Sequence, residues 1–137
     1  MLLDLPIQQI IKEIGHDGSE ILWPNDPRPH MAFSMQEITD IAIRHRVALV
    51  PIHGYPVSVD SNDENPVPIF KDHEARLIDH MTGNPGLITG YYSPDKFHLV
   101  AWDGAQVYDP MDGRIYNFDQ VGQAMIAVET FYRAFRF

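Results

Sequence analysis

Residues 97–110 read FHLVAWDGAQVYDP, and this stretch decides the fold of the second half of the chain. Apolar residues alternate on both sides of the Asp103-Gly104 pair, and both of these residue types tolerate the positive φ angles of a tight reversal. The pattern predicts a β-hairpin in which Asp103 and Gly104 are the two loop residues. In that register His98 on the first strand faces Asp109 on the second.

The predicted cross-strand pair brings an imidazole and a carboxylate together. Directly opposed residues share one face of a sheet with Cβ atoms about 5 Å apart, so Asp109 is expected to reach His98 and fix its tautomer. A base with an orienting acid is the arrangement that activates a nucleophile. A stabilising polar contact at a sheet edge is the alternative. Trp102 projects from the same face and is predicted to line a substrate groove beside the base, with core packing as its alternative.

Short segments rich in aromatic and β-branched residues flank the hairpin and are separated by turn residues. They predict an antiparallel meander that is followed by a helix and a closing strand. The predicted strands are Leu87–Tyr91, Phe97–Trp102, Ala105–Asp109, Arg114–Tyr116 and Glu129–Phe135, and the helix is Asp119–Val128.

The first half of the chain carries helical signals. Isoleucines at three- and four-residue spacing predict a helix that ends at Gly15. Ser34 and Glu37 have the spacing of a capping box, which predicts the start of a second helix. The predicted helices are 7–14, 34–45 and 71–81, with a largely buried strand at 47–52 and irregular loops at 15–33 and 54–70.

Helices followed by an antiparallel sheet make the predicted fold class α+β. The chain has 137 residues, of which 45% are hydrophobic, which is enough for one domain with a buried core. We therefore expect a single domain over residues 1–137.

Composition also excludes several classes of function. A formal charge of −9 disfavours nucleic acid and anionic lipid surfaces. No apolar run approaches the roughly 20 residues of a membrane-spanning helix, so no membrane insertion is expected, and the cytoplasm is the default compartment for a soluble protein. The chain has no cysteine, which excludes thiolate metal sites. His73 and His80 lie two helical turns apart, too far to chelate one ion, so no metal is expected.

The order of these motifs resembles the bacteriocin-leader-processing branch of the papain-like cysteine peptidases. The resemblance rests on the Ser34 helix, the strand at 47–52, Gly86–Tyr91, and the His98–Gly104 and Val107–Pro110 segments, and it covers roughly residues 1–118. It implies a papain-like fold with amino-terminal helices packed on an antiparallel sheet. It also implies His98 as general base, Asp109 as its orienter, a peptide or protein substrate and no cofactor.

One departure from the family pattern concerns the nucleophile. Family members carry a glutamine for the oxyanion hole and then the catalytic cysteine, shortly before a segment that residues 1–6 resemble, whereas this chain has no cysteine. The chain as written is therefore expected to be inactive. Either an upstream segment carries the nucleophile, or the protein is a non-catalytic relative that binds peptides or acts as a scaffold.

Overall fold

The computed structural model describes residues 3–19, 25, 32–54, 72–94, 96–110, 112–121, 125 and 127–137. These residues form three α-helices and a six-stranded sheet, so the predicted α+β class is confirmed. Most of the predicted 54–70 loop, and part of the 15–33 loop, lie outside them. The elements are α1 (Ile7–Ile14), α2 (Met35–Arg44), β1 (Val47–His53), α3 (His73–Met81), β2 (Gly86–Ser93), β3 (Lys96–Trp102), β4 (Gln106–Tyr108), β5 (Ile115–Asn117), a 3-10 turn (Phe118–Gln120) and β6 (Ala127–Arg136).

The chain divides into two compact units. The first comprises Met1–Ala48 with Phe135–Phe137, and the second comprises Leu49–Ala134. The single domain expected over residues 1–137 remains a prediction. Across the described residues, no helix is both long and apolar enough to cross a bilayer.

Helices α1 and α2 belong to the first unit and end where local signals place them. Gly15 adopts a φ of 93° after α1, and its N–H donates to the carbonyl of Ile11. At α2 the capping box is confirmed: the Glu37 N–H donates to Ser34 Oγ at 3.2 Å, and the Ser34 N–H donates to Glu37 Oε2 at 2.7 Å. Both caps use only contacts within a few residues, which is why the sequence predicts them well.

The Glu37 carboxylate also joins α2 to the preceding loop. Its Oε1 lies 2.6 Å from Nε2 of His16, whose Nδ1 accepts a hydrogen bond from the Gly18 N–H at 3.1 Å. Partial burial pushes the pKa of Glu37 upward. Hydrogen bonds from His16 and from the amide and hydroxyl of Ser34 outweigh that effect and lower this pKa to about 2.

We expect Glu37→Gln to destabilise the protein by about 1–2 kcal/mol near neutral pH, because the amide replaces a charged acceptor. The pKa of Glu37 in the folded protein lies below the ordinary value of 4.5, so the stabilisation is complete above about pH 4.5 and disappears as the pH falls towards 2. Urea unfolding of wild type and variant across this range measures the difference. Asp40→Asn, which alters an exposed carboxylate on the same helix, is the control. A difference independent of pH would contradict the prediction.

The sheet has the order β1-β6-β2-β3-β4-β5. The predicted meander β2–β5 is confirmed, and β6 lies beside β2 in antiparallel pairing. Residues 122–124 and 126 of the predicted helix from Asp119 to about Val128 lie outside the described residues. Its predicted end is wrong, because β6 begins at Ala127, and Ala127 and Val128 pair with β2. Sheet pairing there prevails over the local helical pattern.

The prediction of a largely buried first strand is also wrong. Only Val47 and Ile52 of β1 are buried, whereas Val50 and Pro51 are exposed. The reason is that β1 lies at the end of the strand order. Proline suits such an edge because it has no N–H to contribute to a ladder.

The core of the second unit forms between α3 and the sheet. Helix α3 begins two residues later than predicted and buries Leu77 and Met81, while Ile78 is exposed. These two side chains pack with Ile52, Ile88, Val100, Trp102, Val107, Tyr116, Met125 and Phe131.

Gly86 is a position where this core admits no side chain. It opens β2 between Trp102 and Arg133 on the neighbouring strands, and a Cβ there would overlap the Tyr132 carbonyl oxygen and the Phe131 ring. Its φ is outside the left-handed region, so the constraint is steric.

Gly86→Ala is therefore expected to lower the free energy of unfolding by about 1–3 kcal/mol through overpacking. Gly83→Ala is the comparison, because Gly83 has a φ of +74° and open space around it, so that its cost comes from backbone strain alone. Urea denaturation compares the two variants. If Gly86→Ala unfolds at the wild-type midpoint, the overlap is relieved by backbone movement and the steric explanation fails.

Candidate functional site

His98 and Asp109 meet on the core-facing side of the second unit. His98 Nε2 lies 2.7 Å from Asp109 Oδ1, and the two side chains are only 10% and 6% exposed. The predicted contact is therefore present. Low exposure strengthens a hydrogen bond of this kind, because water does not compete for either partner.

The register that brings the pair together differs from the predicted one. Ala101 pairs with Tyr108 and Trp102 with Val107, so a four-residue connection, 103–106, replaces the predicted two-residue loop. The next pair of positions in this register is Val100 with Asp109. His98 lies two residues before Val100 on β3, so it is diagonal to Asp109 on the same face of the sheet. A shift of two residues keeps every side chain on its face, whereas a shift of one would have separated the pair.

Asp103 explains the longer connection. Its Oδ1 accepts hydrogen bonds from the N–H groups of Ala105 and Gln106 at 2.9 and 2.8 Å, and its own N–H donates to the Gln106 carbonyl. Gly104, with a φ of +105°, lies so close to Gly83 that a Cβ would come within 2.9 Å of the Gly83 carbonyl carbon. Side-chain capping of the turn and this contact with the segment after α3 favour four loop residues over two.

The backbone around Asp109 fixes the position of its carboxylate. The Asp109 N–H donates to the Arg114 carbonyl at 3.1 Å, and its carbonyl accepts from the Gly113 N–H at 3.0 Å. Pro110 restricts the residue before it to extended conformations. Asp109 is therefore held at the end of β4 by the turn that leads to β5.

The hydrogen bond determines which ring nitrogen of His98 is a base. An ionised carboxylate only accepts, so the Asp109 oxygen requires a hydrogen on Nε2. In the neutral ring Nδ1 is then unprotonated and is able to accept a proton. The pair thus has the chemistry of a general base with its orienting acid.

Two residues of β2 lie beside the imidazole. Gly90 pairs directly with His98, so no side chain projects from the position opposite the ring. The Tyr92 ring lies edge-on to the imidazole with centroids 5.3 Å apart. Tyr92 is not among the site residues predicted from the sequence. The available signal was its even spacing from Gly90, which sets it on the face of His98 once the strand pairing is known.

Trp102 lies on the same face as His98 but does not line a groove. It is 2% exposed, its Nε1–H donates to the Met81 carbonyl at 2.8 Å, and Phe118 packs against its ring. The predicted substrate contact is therefore replaced by the alternative of core packing. The physical reason is that α3 covers this part of the sheet.

Other side chains with possible catalytic or metal-binding chemistry have hydrogen-bond partners of their own. Ser34 serves the α2 cap, and Ser19 Oγ donates to the Asp17 carboxylate at 2.5 Å, so both hydroxyls have structural partners. His80 Nδ1 lies 3.1 Å from Nη1 of Arg133. Within the described part of the chain, no three His, Asp or Glu side chains are grouped as metal ligands.

Comparisons with known proteins identify no relative of this chain. No family model matches the chain, and no curated protein or solved structure matches it either. Any function is therefore argued from the site and from the sequence motifs.

Proposed function

We propose that the second unit carries the base half of a cysteine-peptidase-like site that cleaves peptide or other amide bonds. His98 is the general base and Asp109 is its orienter. The observation that carries the proposal is the shielded 2.7 Å contact between Nε2 and Oδ1, which leaves Nδ1 as the basic nitrogen.

The proposed reaction is acyl transfer through a thioester. Nδ1 of His98 takes the proton of a thiol, and the thiolate attacks the substrate carbonyl carbon. The resulting imidazolium returns that proton to the amine as the C–N bond breaks. Water, deprotonated by the same nitrogen, then hydrolyses the thioester and regenerates the thiol. Asp109 holds the ring and stabilises its charged form throughout.

The thiol in this scheme comes from outside the 137 residues, because they contain no cysteine. We propose an upstream segment of the same polypeptide as its source, as the resemblance to the leader-processing peptidases implies. The chain as written is then inert. A papain-like arrangement is supported by the α+β class and by the order of α2, β1 and the meander that carries His98 and Asp109.

A non-catalytic peptide-binding role is the second candidate. It is favoured by the edges of the sheet, since β1 and β5 end the strand order and both carry exposed apolar residues, Val50 and Ile115. An extended peptide adds to such an edge through main-chain hydrogen bonds. In this role the His98–Asp109 pair would stabilise the sheet.

The experiment that separates the two begins with the reading frame upstream of the Met1 codon. The enzyme proposal expects a cysteine within about ten residues, preceded by glutamine, since the catalytic helix must reach the base. The protein expressed with that segment should react with iodoacetamide at this cysteine and cleave peptide substrates, including double-glycine leader peptides. The 137-residue chain is the inactive control.

Absence of such a cysteine, or an extended protein that cleaves none of these substrates, would count against the enzyme. In that event binding of extended peptides to the 137-residue chain, weakened by Ile115→Lys on β5 and by Val50→Lys on β1, would support the alternative.

A further inference from the structure

An irregularity in strand pairing lies next to His98. Strands β2 and β3 pair regularly as far as Tyr91 and Phe97, after which Ser93 pairs with Lys96. Tyr92 is therefore an extra residue, opposite no single partner, and forms a β-bulge. Bulges redirect a side chain and are over-represented beside active sites.

The Tyr92 side chain reaches the imidazole from this bulge. The rings of Tyr92 and His98 are nearly perpendicular, at 75°, with centroids 5.3 Å apart. The Lys96 ammonium lies 5.9 Å from the centroid of the Tyr92 ring, so the tyrosine also has a contact with the hairpin strand β3.

This contact lies beside a residue that is shielded from solvent although its neighbours on the strand are exposed. Lys96 and Phe97 are both exposed, the latter by 52%, yet the His98 side chain is exposed by only 10%. The χ2 angle of histidine has broad minima, so a single hydrogen bond leaves the ring plane loosely defined. A second contact, from an aromatic ring, defines it.

We infer that Tyr92 is a positioning residue for the His98–Asp109 pair. Its ring holds the imidazole plane so that Nε2–H points at Asp109, and it keeps water from this hydrogen bond. The positional effect stands on the contacts alone, and its catalytic meaning rests on the proposed function. The hydroxyl is not required, because the contact is made by the ring.

The test measures hydrogen exchange of the Nε2–H proton by NMR in the 137-residue chain, with the resonance assigned by its loss in Asp109→Ala. Wild type and Tyr92→Phe should show a downfield proton that exchanges slowly with water. In Tyr92→Ala the exchange should accelerate at least about tenfold, or the resonance should broaden beyond detection, as expected when a shielded group opens to solvent. Backbone amide spectra establish that each variant is folded.

Tyr91→Ala is the matched control. It removes the same ring from the adjacent residue, but Tyr91 packs against Phe97 on the opposite face of the sheet. If Tyr92→Ala does not fold, Tyr92→Leu removes the planar ring while keeping apolar bulk, and faster exchange is again expected. Wild-type exchange in folded Tyr92→Ala or Tyr92→Leu, or equal acceleration in Tyr91→Ala, would overturn the inference.

The exchange measurement requires no turnover, so it is independent of the peptidase proposal. In an active, extended protein, Tyr92→Ala should lower kcat about tenfold with little change in KM, since misorientation of the base affects the chemical step. Normal activity with accelerated exchange would limit Tyr92 to a structural role. Accelerated exchange in a protein that proves to have no activity would leave the positioning effect intact and remove only the proposed reaction.

Discussion

Replacing His98 by alanine is expected to lower kcat/KM by about 10²–10⁴-fold in the form of the protein that carries the nucleophile, because a general base contributes a factor of this size. Asp109→Ala should cost less than His98→Ala, since the base remains while its orientation is lost. Asp109→Asn should be milder still, because an amide oxygen also accepts the hydrogen bond from Nε2–H. Steady-state hydrolysis of a peptide substrate measures all three.

His73→Ala is the control for the His98 experiment. This residue belongs to the same unit, on α3, and removal of an imidazole there should leave kcat/KM unchanged. The prediction is the order of the losses in kcat/KM, which should be largest for His98→Ala, smaller for Asp109→Ala and smallest for Asp109→Asn. Should Asp109→Asn prove as harmful as Asp109→Ala, the retained hydrogen-bond acceptor would contribute nothing, the carboxylate charge would be the essential feature, and the assignment of Asp109 as a simple orienter would be wrong.

Trp102→Ala should produce the largest loss of stability among the variants considered, about 3–5 kcal/mol. The indole is 2% exposed within the core of the second unit, so truncation leaves a cavity between α3 and the sheet. It also removes one of two donors to the Met81 carbonyl, which keeps the hydrogen bond from the Asn84 N–H at 3.2 Å, so most of the loss comes from the cavity. Urea unfolding followed by far-UV circular dichroism is the measurement.

Two further substitutions separate these contributions. Trp102→Phe keeps an aromatic ring but loses the Nε1–H, so its cost should fall between wild type and Trp102→Ala. Phe97→Ala alters the neighbouring outward-facing part of β3, where the side chain is 52% exposed, and should change stability by no more than about 0.5 kcal/mol. A near-neutral Trp102→Ala would mean that the indole is accessible and would reopen its predicted role in substrate binding.

Local signals predicted much of the secondary structure. Gly15 ends α1, and the Ser34–Glu37 capping box begins α2, because both use hydrogen bonds between near neighbours in the chain. Alternating apolar residues likewise predicted β2 and β3. The errors fall where pairing partners lie far away in the sequence. The exposure of β1 follows from its place at the sheet edge, and the early start of β6 follows from pairing with β2.

The candidate site was likewise predicted in part: its shared face was correct, and its loop length was wrong. The residue types and the two-residue period of the strands were enough to set His98 and Asp109 on one face, and that result survived an error of two residues in the register. The loop length that caused the error depends on Asp103 and on the contact of Gly104 with Gly83, which is remote in sequence.

By itself, the sequence determined the helix caps, the alternation of the strands and the shared face of the imidazole and carboxylate, because each depends on residues a few positions apart or on the parity of a strand. Only the tertiary structure decided that Trp102 is buried beneath α3 and that Tyr92 reaches His98 from a bulge. Burial and ring contacts depend on how separate elements pack, and that packing is a property of the whole unit.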